Sequence, residues 1–135
     1  MSMFSSLQVS ASGMDVYKTW IDAISDNVAN VNTITSTDEP AFRERLVFAE
    51  SVGGEAGTVG DGARVSAIRL GDAEGRLRYE PDHPLADENG YVRTPDMDLE
   101  TQMTSLIVAQ RSYQANVTVF DRARDAYQRA LEIGR

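Results

Sequence analysis

The side chains able to do chemistry in this chain are few, and most lie in its middle. Asp82, Asp87, Glu88 and Asn89 cluster beside the single histidine, His83, and are oxygen donors of the kind a hard cation takes. Their spacing is not that of a calcium-binding helix–loop–helix, and Pro81, Pro84 and Gly90 account for the segment as a turn-rich connection. The adjacent acids Asp38 and Glu39 could in principle share acid and base work on a glycosidic bond, but nothing fixes them on a rigid wall. Residues 53–62 hold five glycines in ten and could suggest a phosphate cradle. They lack a Gly-Lys-Ser/Thr ending, and their only charges are acidic, which repels phosphate. The absence of Cys excludes disulfides, thiolate metal sites, iron–sulfur clusters and thiol catalysis, and one histidine excludes a histidine cluster. No catalytic, metal-binding or cofactor-binding residues are expected.

The elements that carry these residues follow from composition and period. The 135 residues are 41% hydrophobic and 25% charged, which suits one ordinary globular domain. No purely apolar run is longer than Leu106 to Ala109, which is far short of the roughly 20 residues that span a membrane. The first twelve residues lack the basic and apolar regions of a Sec-type signal peptide. A net charge of −8 argues against unspecific nucleic-acid binding, which needs Lys and Arg to neutralise phosphate. All four prolines lie between residues 40 and 95, and 14 acids against 7 bases lie between 32 and 98. An acidic, breaker-rich middle thus separates two ends nearly free of Gly and Pro.

Those ends repeat every seven residues. Leu7, Met14, Ile21 and Val28 form one column, and Ser10, Tyr17, Ile24 and Val31 follow each by three. Near the C-terminus, Leu99, Leu106, Tyr113, Phe120 and Tyr127 form a column, and Met103, Gln110, Val117, Arg124 and Leu131 follow by four. The pattern predicts helices over about 5–29 and 97–133, rods of about 40 and 55 Å at ~1.5 Å per residue. The expected fold is mainly α with a small β part: two long terminal helices in an antiparallel coiled coil, and a middle rich in short β-hairpins. Three stretches result: a helix in 1–33, a β-rich middle in 34–96, and a helix in 97–135. Asn27, Asn30 and Asn32 stand where the first helix should stop, because Asn tolerates the left-handed conformation. Asp96, Asp98 and Glu100 place negative charge on the first turn of the second helix, with a cap expected at Thr94-Pro95-Asp96. In the middle, 42–48, 64–70 and 76–79 are strand-compatible, and Gly71-Asp72-Ala73-Glu74-Gly75 predicts a hairpin over 64–80. Residues 53–62 read as a mobile loop. Ile107, Val108 and Val119 sit off the seam and would be exposed in a lone hairpin, so burial against other chains is expected.

The stretch Asp22-Ala23-Ile24-Ser25-Asp26-Asn27-Val28-Ala29-Asn30-Val31-Asn32-Thr33 resembles the N-terminal signature of bacterial flagellar rod and hook proteins. Residues 111–117 and 129–135 resemble the C-terminal helix of the same family. Tyr79 to Pro84, and Glu88 to Val92 followed by Pro95, resemble the middle of its proximal-rod members. Asp26 stands where the family often has Asn, and residues 53–62 match no family feature. The resemblance implies a non-enzymatic subunit without cofactor. It would be exported through the flagellar type III apparatus without a cleaved signal, and would assemble with copies of itself and other rod proteins in a rod crossing the periplasm. Family signature positions fall on Asn27, Ala29, Asn30, Asn32, Thr33, Tyr113 and Asn116. The helix seam and assembly interface would use Leu7, Met14, Tyr17, Ile21, Ile24, Val28, Leu99, Met103, Leu106, Tyr113, Val117, Phe120, Tyr127 and Leu131. The rival expectation, from another class, is a soluble helical-hairpin adaptor that binds a basic partner through the acidic middle.

Overall fold

The computed structural model describes residues 3–53 and 60–134. Helix α1 runs Met3–Asn30 and helix α2 runs Leu99–Ile133; between them lie β1 (Arg45–Val52), β2 (Gly62–Leu70), β3 (Arg76–Tyr79) and β4 (Tyr91–Thr94). Each helix is unbroken because it contains no proline, and α1 has only Gly13 inside it. Helix α2 is capped by Asp98, whose carboxylate accepts hydrogen bonds from the backbone N–H and the hydroxyl of Thr101, both at 2.9 Å. That side-chain cap sits two residues later than the one expected at Asp96. Asp96 instead pairs with Arg76.

The strands pair differently from the sequence expectation. β1 pairs with β2, and β3 pairs with β4, as two separate two-stranded antiparallel sheets. The hairpin expected over 64–80 is therefore corrected: β2 and β3 are consecutive but belong to different sheets. Arg43 holds the intervening turn in place, donating from Nε to the Gly71 carbonyl at 2.8 Å and from its guanidinium to Leu70 at 3.3 Å. Strand β4 is not among the strand-compatible stretches of the sequence; its four residues lie between Gly90 and Pro95. The glycine-rich loop of the sequence reading falls largely on 54–59, outside the described residues.

The chain forms two compact units, and each draws on all three sequence stretches. The first comprises 1–21, 47–67 and 107–135. Within it the helices run antiparallel: Phe4 meets the ring of Tyr127 edge-on at 5.5 Å, and Gly13 lies against Asn116. A Cβ on Gly13 would come within 2.8 Å of the Asn116 side-chain oxygen, so the two helices approach closely at this point. The Ser12 hydroxyl joins α1 to β2, accepting from the Ala63 N–H at 3.0 Å while donating to the Val9 carbonyl at 2.7 Å. The only fully enclosed side chains described in this unit are small, Ser10 and Ala109, while its bulky apolar residues stay partly in water.

The second unit comprises 22–46 and 68–106. Its core is Ala23, Ile24, Ala41, Val92 and Met97. Arg93 on β4 stitches the irregular segments together. Its backbone pairs with Thr35 in both directions at 2.9 Å, and its guanidinium donates to the carbonyls of Thr37 and Glu74. Gly75, at φ +61°, makes the turn before β3 in a space where a Cβ would collide with the Thr94 carbonyl.

Candidate functional site

A buried polar cluster built from several elements lies in the second unit. Asn27, on the last turns of α1, is 1% exposed, and Gln102, on the first turns of α2, is 5% exposed. The Asn27 Oδ1 accepts the Arg45 N–H at 2.8 Å, and its Nδ2 donates to the Arg45 carbonyl and to the Gln102 Oε1, both at 3.1 Å. The amide of Asn27 thus pairs with both backbone groups of Arg45, as a neighbouring strand would, at the residue where β1 begins. The Gln102 Nε2 in turn donates to the Glu44 carboxylate at 2.5 Å. Outside this shell, the Arg45 guanidinium pairs with Asp26 at 2.9 Å. The Asn27 amide is fully used, so its burial carries no unmet hydrogen bond.

The other asparagines behave differently. Asn30 ends α1: its Oδ1 accepts from the Thr33 hydroxyl at 3.3 Å and its carbonyl from the Thr33 N–H at 3.0 Å. Its own Nδ2 reaches back to the Asp26 carbonyl at 2.8 Å. Asn32 and Ala29 are exposed, and Thr33 is half-buried. The left-handed conformation expected of these asparagines is corrected, since no non-glycine residue among those described has a positive φ.

Of the residues expected on the seam, Ile24 is buried, and Leu7, Met14, Tyr17, Ile21 and Val28 on α1 are half-buried. On α2, Leu106, Tyr113, Val117, Phe120 and Tyr127 are half-buried, whereas Leu99, Met103 and Leu131 are exposed. The companion column on α2 is the one three residues on. Gln102 and Ala109 are buried there, and Asn116 and Ala123 half-buried. The sequence reading instead takes the residues four on as the companion, and the amides Gln102 and Asn116 escape it because they are polar. Small residues let two helices approach, and a polar one is tolerated when it has a partner such as Asn27. The signal was visible only as alanines and amides recurring at seven. Ile107, Val108 and Val119 remain 49%, 48% and 51% exposed.

Two further features were not read from the sequence. Val16, Tyr17 and Trp20 on α1 face Val47, Ala49 and Ala63 across an open apolar groove of about 320 Å³ in the first unit. Charge also divides by unit: the first holds seven acids and seven bases, the second fourteen acids and six bases, so the whole net −8 resides in the second.

The middle segment with the candidate cation donors is organised as turns. The Asp87 carboxylate accepts the N–H groups of Tyr91 and Asn89, both at 2.9 Å, and the His83 Nδ1 accepts the Leu85 N–H at 3.1 Å. The Tyr91 N–H, foremost, holds the Asp87 carboxyl below the usual carboxylate value, and the Thr101 N–H does the same for Asp98. Among the described residues no group of three or more His, Cys, Asp or Glu is placed to hold a metal ion.

The arrangement is thus one of packing surfaces, and relatives bear on what they pack against. The chain is 34% identical to the flagellar basal-body rod protein FlgC of Borreliella burgdorferi, over 98% of both chains. It belongs to the FlgC family of flagellar basal-body rod proteins. It is also 33% identical to FlgC of Bacillus subtilis over the whole of both chains, and 29% identical to FlgC of Salmonella typhimurium over 99% of both. Residues 88–133, covering β4 and α2, match the family described as flagellar basal body rod FlgEFG protein C-terminal. FlgC-family membership makes the chain a structural subunit of the flagellar basal-body rod and does not favour the adaptor reading.

Proposed function

We propose that this chain builds the proximal part of the flagellar rod, polymerising with copies of itself and with other rod proteins through its terminal helices to transmit torque. The observation that supports this most directly is the exposure of Ile107, Val108 and Val119 on α2, off the intrachain seam. Apolar side chains held in water on a helix already paired on its other side are suited to a second helix from a neighbour. The thin enclosed core of the first unit fits the same reading, because neighbours would complete its burial. Torque is then shared over many helix–helix contacts, and no single contact carries the load.

On this reading the chain reaches the periplasm through the flagellar type III export apparatus without a cleaved signal, and the rod it joins crosses that space. No described helix is long and apolar enough to cross a membrane. The test is to replace the chromosomal copy with Val119→Asp or Ile107→Asp and examine isolated basal bodies. Rods that lack the chain, and cells that do not swim, are expected. Normal rods and normal swimming from both variants would sink the proposal.

A further inference from the structure

The heptad columns do not by themselves say how far along each other the two helices lie. Leu7, Met14, Ile21 and Val28 recur at seven on α1, and Leu106, Tyr113, Phe120 and Tyr127 recur at seven on α2. Sliding one helix by seven residues, roughly 10 Å at ~1.5 Å per residue, sets apolar against apolar again. The 68 residues between the helices make a connection too long to dictate alignment by its length alone.

We propose that the Asn27–Gln102 pair is the register device of the helix hairpin, a polar contact that selects one alignment of α1 on α2. It is a direct side-chain hydrogen bond from one helix to the other, and both of its residues are buried. A slip of seven in one direction sets Asn27 against Ala109, which offers no side-chain acceptor; the other carries it to Pro95, beyond the start of α2. Either slip strips Gln102 of its donor, and the Glu44 carboxylate cannot follow it, because Asn27 anchors Arg45 at the next position through both backbone groups. A buried polar pair that is satisfied in one alignment and orphaned in the others discriminates between them even where it adds little to stability. The same alignment appears two heptads away. Gly13 lies fourteen residues before Asn27, Asn116 fourteen after Gln102, and the two are in contact.

This inference rests on the rod-subunit reading only for its purpose, which is that every copy presents identical faces to its neighbours. Its test does not need assembly. The chain has no cysteine, so introduced pairs report alignment cleanly. A Cβ at Gly13 would lie 3.0 Å from the Asn116 Cγ, which suits a disulfide between Gly13→Cys and Asn116→Cys. The slipped alignments would instead join Gly13→Cys to Ala109→Cys or to Ala123→Cys.

In the purified full chain, oxidation should favour the 13–116 disulfide at least tenfold over either other pair. Gln102→Met keeps length and volume and removes only the polar contact. It should raise the 13–109 or 13–123 disulfide about fivefold or more, with helical circular dichroism retained. Gln102→Leu serves as a second apolar variant. Retention of the 13–116 disulfide alone in both variants would overturn the proposal, since alignment would then be set elsewhere. Loss of helicity in both would also overturn it, by showing that the pair supports the fold and does not choose the register. Neither result bears on rod incorporation, so failure here is separable from failure of the rod reading.

Discussion

At the scale of single residues, the chain invests its few buried polar groups in joints. Asn27 serves three acceptor and donor groups on two other elements with one side chain. Truncation to Ala leaves the Arg45 N–H, the Arg45 carbonyl and the Gln102 Oε1 without that partner. A cost of about 1–3 kcal/mol is expected, read by urea unfolding of the purified chain. An unfolding midpoint unchanged from the parent would refute this role for Asn27. Asp87 and Asp98 are surface joints of another kind, each a carboxylate that accepts backbone N–H groups in a turn or cap. Both carboxyls titrate below the ordinary value of 3.8 in the folded chain, chiefly through the hydrogen bonds from Tyr91 and Thr101. On acidification the unfolded chain takes up these protons first. Their contribution to stability is therefore complete above the ordinary carboxylate value and lost as pH falls through the lower, folded-state value. Melting temperature should drop as pH is lowered from 5 to 3. The drop should be shallower in Asp87→Asn/Asp98→Asn, where a carbonyl still accepts but no longer titrates in this range. An equally steep drop in that double variant would assign the acid sensitivity to other groups.

At the scale of elements, the two faces of α2 can be separated by mutation. Leu106 is on the intrachain side and Ile107, its neighbour, is exposed. Leu106→Asp places a charge at a half-buried packing position, and destabilisation of about 1–3 kcal/mol is expected together with loss of the rod. Ile107→Asp changes only a solvent-facing position. Its effect on the free chain should stay within about 0.5 kcal/mol, while rod incorporation is lost. Thermal melts beside motility assays distinguish the two, and equal destabilisation by both would contradict the division of faces. How much of this was legible in the sequence depends on the range of the interaction that sets each element. The helices were legible because their period is local and uninterrupted, and the Leu106-Tyr113-Phe120-Tyr127 column because its members are bulky and recur at seven. Gln102 and Asn116 in the companion column were not, since an amide on a seam reads as polar until its partner is known. The pairing of β1 with β2 and of β3 with β4 was also hidden. The Gly71–Gly75 turn is a good local signal for a hairpin, but Arg43 and the Thr35–Arg93 bridge, both distant in sequence, decide where that turn leads.

At the scale of the whole molecule, composition located an acidic middle, but the units redistribute it. The first unit takes in 47–67, and the second takes in the end of α1 and the start of α2, which leaves the first neutral and the second at −8. Two copies that associate through the first unit meet no net electrostatic opposition there, and the apolar side chains of α2 can supply the attraction. Their second units repel wherever the assembly brings them near, since like charges raise the free energy of any compact arrangement. Salt screens that repulsion: the Debye length falls from about 10 Å at 0.1 M to about 3 Å at 1 M, while apolar contact is not weakened. Self-association of the purified chain should therefore strengthen with salt, by about tenfold in apparent affinity between 0.05 and 0.5 M sodium chloride. Sedimentation velocity across a concentration series measures it. Neutralising exposed acids of the second unit, as in Asp82→Asn/Glu88→Gln, should strengthen association at low salt and flatten the dependence. Association that weakens as salt rises would mean that the acidic unit meets a basic surface on the next copy, and the repulsion account would fall.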